Sequence, residues 1–289
     1  MMFTISQIRS QFVESLIPLY GEPEAGQMVK MLFGHFCGIS GSSLALQKNE
    51  FLSQEQTQKL QEALAQLLDQ MPVQYIIGRS WFYNLSFEVN PSVLIPRPET
   101  EELVDLIVNE ANQLPSSAAN RLLDIGTGSG CIAVALKNSL PAWQVSACDK
   151  SADALQVARR NAETAGTGVN FFEADILKWK EWPDSGSYSI IVSNPPYVCE
   201  REKLQMQANV LEHEPALALF VPDDDPLKFY RAIAEFGISR LVNHGKLYFE
   251  INADFGPEME NLLEALGYSA IQTRKDFRGK DRMVMASKG

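Results

Sequence analysis

The apolar stretch at residues 190–192 runs directly into Asn194-Pro195-Pro196-Tyr197, a turn whose groups suit the capture of a planar amine. Two consecutive prolines have no N–H to donate to a sheet, so a strand must end here. A planar –NH2 on a carbonyl or an aromatic ring is a poor nucleophile, because its lone pair is delocalised. The Asn194 side-chain oxygen and the Pro195 carbonyl could hold its two N–H groups, and Tyr197 could stack on its plane. Catalysis would then rest on positioning and desolvation, without a covalent intermediate. A rigid turn with no catalytic role is the alternative.

A glycine-rich turn precedes this stretch in the chain. The sequence "LLDIGTGSGCIAVAL" predicts a strand that ends at Asp124, a turn through Gly126, Thr127, Gly128 and Gly130, and then a helix. Glycine permits positive φ and lets a ligand approach the backbone closely. In an open parallel sheet, ligands usually bind beyond the carboxyl ends of the strands. The turn is therefore a candidate cofactor loop.

Acidic side chains end the next two predicted strands. Asp149 follows "WQVSAC", where a carboxylate can accept from both hydroxyls of a ribose, and Asp175 ends "FFEAD", where it can accept from an adenine amine. Lys150 and Ile176 follow these two acids and belong to the same candidate pocket. Either acid by itself could instead be a helix cap or a turn residue.

NAD and S-adenosylmethionine are the two candidate cofactors. The glycines follow G-x-G-x-G and not G-x-G-x-x-G, and the carboxylate of Asp124 suits a cationic ligand better than a pyrophosphate. A ribose, an adenine and a sulfonium-bearing amino acid together predict S-adenosylmethionine, with S-adenosylhomocysteine as the product.

The elements that must position these groups alternate from residue 121 onward. The segments "RLLDIG", "WQVSACD", "VNFFEAD", "YSIIVSN", "GKLYFEI" and "DRMVMAS" are predicted strands, and most of them are separated by helical segments. This alternation predicts a mostly parallel sheet with helices on both faces. A helix is also predicted over residues 97–114, just before the first of these strands.

The N-terminal part of the chain has a different pattern. Residues 1–72 predict a small helical bundle, with capping boxes at Thr4-x-x-Gln7 and Ser53-x-x-Gln56 and apolar stripes that pack its core. Residues 73–96 are rich in β-branched and aromatic side chains and predict a β-hairpin linker with its turn at Tyr83-Asn84-Leu85. Residues 1–72 would then form a substrate-recognition domain, and residues 97–289 the catalytic domain.

Composition excludes several classes of protein. The 289 residues carry a formal net charge of −11, which weighs against holding duplex DNA or long RNA as the main substrate. The four cysteines lack C-x-x-C spacing and the three histidines are scattered, so no metal site is expected. We find no signal-peptide pattern and no apolar run of about 20 residues, and therefore expect a cytoplasmic protein with no membrane contact.

The order of motifs resembles that of the HemK-type protein-glutamine methyltransferases over essentially the whole chain. The matching segments are "QYIIG", "LIPRPETEELV", "LLDIGTGSGCIAVAL", "ACDKSADAL", "IIVSNPPYV", "EHEPALAL", "FYRAI" and "DFRGKDRMV". Asn-Pro-Pro-Tyr alone also occurs in methyltransferases that act on adenine amines, whereas "IPRPETE" is far more discriminating. After "EHEPALAL" the family usually has a glycine-rich segment, and this chain has "FVPDDDPLKFY" instead, which puts the loop conformation there in doubt.

The resemblance implies an α/β fold with a seven-stranded, mostly parallel Rossmann-like methyltransferase sheet. It implies methyl transfer from S-adenosylmethionine to the glutamine of the Gly-Gly-Gln loop of class I peptide release factors, by a monomer. The glycine loop, Asp149 and Asp175 would hold the cofactor, and residues 194–197 the glutamine amide. Arg97, Pro98 and Glu99 would lie near the substrate mouth, although Arg97 could equally be a structural anchor to Glu101 or Glu102.

Three alternatives stay open at this point. A nucleic-acid methyltransferase acting on an adenine or guanine amine predicts a basic recognition domain, but residues 1–72 carry few Lys or Arg. A glutamine methyltransferase of a ribosomal protein would share the active site. A non-catalytic binding module would not need Asn-Pro-Pro-Tyr beside a complete cofactor loop.

Overall fold

The computed structural model describes residues 4–39, 41, 43–111, 120–183 and 186–289. The helices are α1 (Ile5–Cys37), α2 (Ser43–Leu46), α3 (Gln54–Leu68), α4 (Val73–Ile77), α5 (Pro98–Ala111), α6 (Cys131–Ser139), α7 (Ala152–Thr164), α8 (Ala208–His213), α9 (Ala216–Leu219), α10 (Lys228–Arg240) and α11 (Gly256–Ala265). Short 3-10 helices span Ile176–Glu181, Glu200–Gln205 and Ala253–Phe255. Residues 112–114, expected to end the helix that becomes α5, lie outside the described residues.

The strands are β1 (Arg79–Phe82), β2 (Leu85–Glu88), β3 (Arg121–Ile125), β4 (Gln144–Asp149), β5 (Val169–Glu173), β6 (Tyr188–Ser193), β7 (Val198–Cys199), β8 (Phe220–Val221), β9 (Leu241–Glu250), β10 (Tyr268–Lys275) and β11 (Asp281–Lys288). The chain divides into two compact units, Met1–Gly78 with Gln207–His213, and Arg79–Met206 with Glu214–Gly289. Within the described ranges, no helix is long and apolar enough to cross a membrane.

The first unit is helical and has its own core. Both predicted capping boxes form, at Thr4 with Gln7 and at Ser53 with Gln56. Helix α1 is broken at Gly21, whose φ of 74° is left-handed. The apolar stripes of α1 and α3 meet in one buried cluster that includes Phe12, Leu32 and Leu60. The 207–213 segment also belongs to this unit, although the sequence prediction placed it in the catalytic domain.

The hairpin predicted over residues 73–96 is too long and is corrected here. Residues Val73–Ile77 form helix α4, because Pro72 precedes the segment and Gly78, with a left-handed φ of 67°, ends it. The segment is rich in β-branched residues, but Val73 is buried as part of a helix and not as part of a strand. The true hairpin is β1–β2, whose register closes with Phe82 opposite Leu85 across Tyr83 and Asn84. Both turn residues have positive φ, as a two-residue type I′ turn requires.

The second unit is built on a seven-stranded sheet of order β10-β11-β9-β6-β3-β4-β5. Strands β9, β6, β3, β4 and β5 are parallel, and β11 is antiparallel to both of its neighbours. The edge strand β10 is absent from the six strands read from the sequence. Tyr268 is its one buried residue, so it lacks the apolar alternation that marks a strand.

The sheet separates two buried clusters. Alternate residues of β3 and β6 belong to different clusters, with Leu122 and Ile190 packing beside α5 and α6, and Leu123 and Ile191 packing beside α10 and α11. In the register, Ser193 at the end of β6 lies opposite Ile125 of β3 and Phe249 of β9. The carboxyl ends of these strands therefore meet at one edge, where the candidate site lies.

Candidate functional site

A cavity of about 290 Å³ lies at the carboxyl ends of the parallel strands. Of the residues predicted from the sequence, those in its wall are Arg97, Gly126, Thr127, Gly128, Asp149, Lys150, Asp175, Ile176, Asn194, Pro195 and Pro196. Glu99, Asp124, Gly130 and Tyr197 lie outside this lining. The structure thus brings the predicted cofactor loop and the predicted amide-binding turn to one cavity within the second unit.

The glycines of the loop have two different purposes. Gly126 and Gly128 have φ of 74° and 55°, and a Cβ built on either meets no atom within 4 Å. Their open space borders the cavity, so they form a cradle that a ligand can approach. Gly130 instead packs against α7, since its Cβ would lie 3.0 Å from the Ala158 Cβ. Its absence of a side chain permits close packing rather than ligand contact.

Asp149 holds the loop as well as lining the cavity. Its Oδ2 accepts a hydrogen bond from the Gly128 amide at 2.8 Å, and its Oδ1 accepts from the Ser151 amide at 2.9 Å. Burial raises the pKa of Asp149, and these amides offset part of the rise. A carboxylate has about four acceptor positions, so two backbone donors leave room for ligand hydroxyls.

Asp124 is fully buried beneath the loop. Its Oδ2 accepts from the Thr127 hydroxyl at 2.6 Å, and its Oδ1 has no hydrogen-bond partner. Burial raises the pKa of Asp124 to about 7, and the neighbouring Asp149 adds to the rise. An unpartnered buried carboxylate oxygen is costly unless a ligand supplies a donor or a positive charge. This oxygen therefore fits the prediction of a cationic ligand.

Asp175 and Lys150 form an ion pair at the far side of the cavity. The Lys150 Nζ lies 3.0 Å from the Asp175 Oδ2, and Asp175 Oδ1 caps the following helix through the Leu177 amide. Burial alone would raise the pKa of Asp175, but Lys150 and the Leu177 amide outweigh it and hold that pKa below its ordinary value. Asp175 is thus both a helix cap and a cavity residue, so the two interpretations of this side chain are compatible.

The Asn194 side chain lies where β6 ends. The Ser193 hydroxyl donates to the Ile125 carbonyl at 2.6 Å and ties this end of β6 to β3. Asn194 Nδ2 donates to the Thr100 hydroxyl at 3.4 Å. With its nitrogen engaged there, the carboxamide keeps its oxygen as an acceptor for a ligand in the cavity. Asn194 and Pro195 share the cavity wall with the glycine loop.

Two residues that the sequence reasoning missed are linked to Asn194 by hydrogen bonds, and one of them, Thr100, also lines the cavity. Thr100 Oγ1 donates to Glu250 Oε2 at 2.6 Å, and Tyr197 Oη donates to Glu250 Oε1 at 3.1 Å. Thr100 and Glu250 are buried, and burial raises the pKa of Glu250. The signals for them were weak, since Thr100 is one letter of "IPRPETE" and Glu250 is a single acid near the end of the apolar segment "GKLYFEI".

Arg97 is an anchor, but not to the acids that the sequence suggested. Its Nη2 donates to Glu214 Oε1 at 2.6 Å, while the second carboxylate oxygen accepts from the Ile95 amide at 3.2 Å. Glu101 and Glu102 instead accept from the amides of Tyr83 and Phe277. Glu101 and Glu102 were the obvious candidates for the partner of Arg97, because they follow it closely in sequence. Glu214 is 117 residues away.

Glu99 contacts the loop between β10 and β11. Its Oε1 lies 3.4 Å from Arg278 Nη2, and its side chain is 15% exposed. This contact makes Glu99 a tether for that loop rather than part of the cavity wall. Its predicted place at the substrate mouth stays a prediction.

The acidic segment "FVPDDDPLKFY" has a defined conformation. Strand β8 pairs with β7, Asp223 accepts from the Arg201 amide at 3.0 Å, and Asp225 makes a two-pronged pair with Arg231. Asp223 and Asp225 thus stabilise the local conformation of this segment. In the part of the chain that the structure describes, no group of three or more His, Cys, Asp or Glu could hold a metal ion.

Two family models match the chain. The "Methyltransferase small domain" model matches residues 106–217, and the "PrmC N-terminal domain" model matches residues 8–78. The first range contains the glycine loop and the Asn194 turn, and the second coincides with the helical unit.

Curated relatives match nearly end to end. The release factor glutamine methyltransferase of Bacteroides thetaiotaomicron is 44% identical over 98% of this chain and 100% of its own length. That of Flavobacterium psychrophilum is 42% identical over 97% of this chain and 98% of its own. The corresponding protein of Bacillus subtilis is 37% identical over 91% and 92%.

Solved structures are similar in fold at much lower identity. A methyltransferase from Pyrococcus furiosus is 18% identical, with a TM-score of 0.50 over 72% of this chain and 91% of that one. The rRNA methyltransferase RsmC from Thermus thermophilus, in complex with AdoMet and guanosine, is 16% identical, with a TM-score of 0.51 over 73% and 50%. At these identities the likeness bears on the fold alone.

Proposed function

The chain belongs to the release factor glutamine methyltransferases, and from this premise we propose that it methylates the side-chain amide nitrogen of the glutamine in the Gly-Gly-Gln loop of class I peptide release factors. The methyl donor in this proposal is S-adenosylmethionine. Relatives that match over almost the whole chain support the substrate class, and the cavity supports the chemistry.

The residues of the cavity fit this cofactor. Gly126 and Gly128 leave open space beside the loop, and beneath the loop Asp124, outside the cavity lining, has a buried oxygen whose negative charge a nearby cation would offset. We expect Asp149 to accept from ribose hydroxyls, and Lys150, Asp175 and Ile176, which line the same cavity, to contact the adenine. When bound, the cofactor supplies an electrophilic methyl group on a sulfonium. The RNA methyltransferase RsmC, which shares the fold, was solved with AdoMet.

The residues at the end of β6 provide the acceptors for the substrate amide. The Asn194 oxygen and the Pro195 carbonyl each accept one of its N–H groups, and the two prolines keep this backbone rigid. An amide nitrogen held in this way loses conjugation with its carbonyl and directs its lone pair into the cavity. The gain comes from orientation and from hydrogen bonds that strengthen as the nitrogen becomes tetrahedral.

One observation carries the proposal. Asn194, Pro195 and Pro196 line the same cavity as Gly126, Gly128 and Asp149, so an amide held by the first group faces a ligand held by the second. A binding module would have no need of this juxtaposition. Tyr197 lies outside the cavity lining, with its hydroxyl on Glu250, so its proposed stacking on the amide would use only the ring face.

Methyl transfer to an intact release factor tests the proposal. The purified protein is incubated with S-adenosylmethionine carrying an isotopically labelled methyl group, and peptides of the release factor are analysed by mass spectrometry. We expect one labelled methyl group on the loop glutamine.

A release factor with asparagine in place of that glutamine is the control. Its amide is one methylene shorter and should stay unlabelled, because a misplaced amide cannot reach the methyl group. Ribosomal proteins are incubated in parallel, and label on one of them without label on the release factor, or label elsewhere on the asparagine variant, would contradict the proposal.

A further inference from the structure

The orientation of the Asn194 carboxamide decides whether the cavity offers an acceptor or a donor. Oxygen and –NH2 occupy similar volumes on the two sides of the group, so packing alone does not select between them. The substrate amide needs an acceptor. A flipped Asn194 would point its own –NH2 at the –NH2 of the substrate, and two donors cannot form a hydrogen bond.

A buried chain of hydrogen bonds lies on the other side of this carboxamide. Asn194 Nδ2 lies 3.4 Å from Thr100 Oγ1, and Thr100 Oγ1 lies 2.6 Å from Glu250 Oε2. Thr100 is 2% exposed and Glu250 is 1% exposed, so water does not compete for these partners. The register brings them together, because Asn194 and Glu250 each follow the paired residues Ser193 and Phe249 of two adjacent parallel strands.

The hydrogen bonds of this buried chain all run in one direction, from Asn194 toward Glu250. A carboxylate only accepts hydrogen bonds, and a threonine hydroxyl has a single hydrogen. That hydrogen is donated to Glu250, so the lone pairs of Thr100 face Asn194 and accept from its nitrogen. A second hydroxyl, that of Tyr197, donates to the other oxygen of Glu250 at 3.1 Å. Two donors converging on Glu250 are what an acceptor-only carboxylate requires.

We propose that Thr100 and Glu250 are positioning residues that set the Asn194 carboxamide with its oxygen toward the substrate. This inference rests on the proposed function, since it concerns the same amide. Glu250 lies outside the cavity lining, and Thr100, which is part of that lining, has its hydroxyl hydrogen committed to Glu250. Their effect passes through Asn194, and it should therefore appear in turnover and not in cofactor binding.

Paired substitutions at Thr100 test the proposal. Thr100→Val keeps the shape and removes the hydroxyl, whereas Thr100→Ser keeps the hydroxyl. We expect kcat for release factor methylation to fall about 10- to 100-fold in Thr100→Val, by analogy with the loss of a group that orients a metal ligand. Thr100→Ser should stay close to the wild type. Calorimetry should give the same cofactor Kd for all three proteins.

A double-mutant cycle separates positioning from a general loss of structure. In an Asn194→Ala background there is no carboxamide to orient, so Thr100→Val should cause no further fall in kcat. Melting temperatures identify variants that are not folded at the assay temperature. If Thr100→Val is one of them, Thr100→Ala takes its place in the cycle.

The outcomes distinguish this inference from the proposed function. If the wild type leaves the release factor unmethylated, the proposed function fails and the inference fails with it. If the wild type methylates it, the inference is overturned when Thr100→Val keeps the wild-type kcat, when Thr100→Ser is as slow as Thr100→Val, or when the effects of Thr100→Val and Asn194→Ala simply multiply.

Discussion

Asp124 is a buried carboxyl group whose pKa in the folded protein is about 7, against an ordinary value of 3.8. Between these two values the folded protein holds a proton that the unfolded chain has released. This group therefore makes its whole contribution to stability below its ordinary pKa of 3.8. The contribution is lost as the pH rises through about 7. In Asp124→Asn the site no longer titrates, so the free energy of unfolding should depend less steeply on pH.

Urea unfolding at several pH values between about 5 and 8 measures this slope. Asp224→Asn is the control, because Asp224 is an exposed acid in the 222–226 turn. Some slope should persist in Asp124→Asn, since the pKa of Asp149 is also raised by burial. If the free energy of unfolding depended on pH equally in the wild type and in Asp124→Asn, the prediction would be wrong.

Asn194 is the residue whose loss should affect chemistry most. Asn194→Ala removes one of the two proposed acceptors for the substrate amide. That hydrogen bond strengthens as the nitrogen becomes tetrahedral, so kcat should fall about 10²- to 10³-fold, which is typical for one oriented group of this kind. The cofactor Kd, measured by calorimetry, should change much less. Near-normal turnover would show that Asn194 does not hold the amide.

Asn194→Asp makes the sharper comparison. Aspartate keeps an acceptor oxygen but adds a negative charge beside a cationic cofactor. That charge stabilises the ground state more than the transition state, in which the cation is being neutralised. We expect cofactor affinity to be retained or increased and turnover to stay low. Restored turnover in this variant would indicate that any acceptor suffices.

At the scale of elements, Asn161 connects the β1–β2 hairpin, helix α7 and the glycine loop. Its Oδ1 accepts from the Glu88 amide at 2.6 Å, and its Nδ2 donates to the carbonyls of Glu88 and Ser129 at 3.0 and 2.9 Å. Asn161 is 2% exposed, so its partners have no ready substitute. The same hairpin end is held by the two hydrogen bonds between Glu88 and Arg160.

Asn161→Ala should therefore destabilise the protein by about 1–3 kcal/mol, the usual cost of leaving a buried polar group unsatisfied. Cofactor affinity should also fall, because Ser129 belongs to the loop that borders the cavity. Urea unfolding and calorimetry measure the two effects. Asn170→Ala, at an exposed position of β5, is the matched control. If Asn161→Ala and Asn170→Ala were equally stable, the prediction would be wrong.

At the scale of the whole molecule, each unit has a separate buried core. The cluster of the first unit contains residues between Ile5 and Val73. Of the two clusters of the second unit, one contains residues between Phe82 and Met285 and the other residues between Leu123 and Ala286. Two separate cores predict that local damage in one unit leaves the other intact.

Leu32→Ala tests this independence, because Leu32 is fully buried in the first core. The substitution should cost about 2–5 kcal/mol. Hydrogen exchange should show lost protection in α1 and α3, with β3 and β4 unchanged, and cofactor affinity should match that of the wild type. Leu19→Ala is the control, because Leu19 is 47% exposed on the same helix.

The proposed recognition role of the helical unit gives this variant a second readout. If the bundle contacts the release factor, Leu32→Ala should lower methylation of the intact factor while the cofactor Kd stays constant. A fall in cofactor affinity parallel to the loss of α1 protection would show that the two units are not independent.

Local chemistry made much of the fold predictable from the sequence. Capping boxes at Thr4 and Ser53 depend on residues three apart, and the apolar segments that became β3 and β6 had to be buried on both faces. The glycine loop and Asn194 were recognisable because backbone conformation and strand ends are local properties. The errors were local as well, since Val73–Ile77 has the composition of a strand but lies between Pro72 and Gly78, which bound a helix.

The partners of the site residues were decided only by the tertiary structure. Arg97 pairs with Glu214, and Thr100 with Glu250, across 117 and 150 residues of chain. A sequence shows that an arginine or a threonine is present, but the tertiary packing determines which buried acid lies beside each of them. The sequence alone therefore determined which groups could perform the chemistry, and the packing of α5, β6 and β9 decided which groups lie beside Asn194.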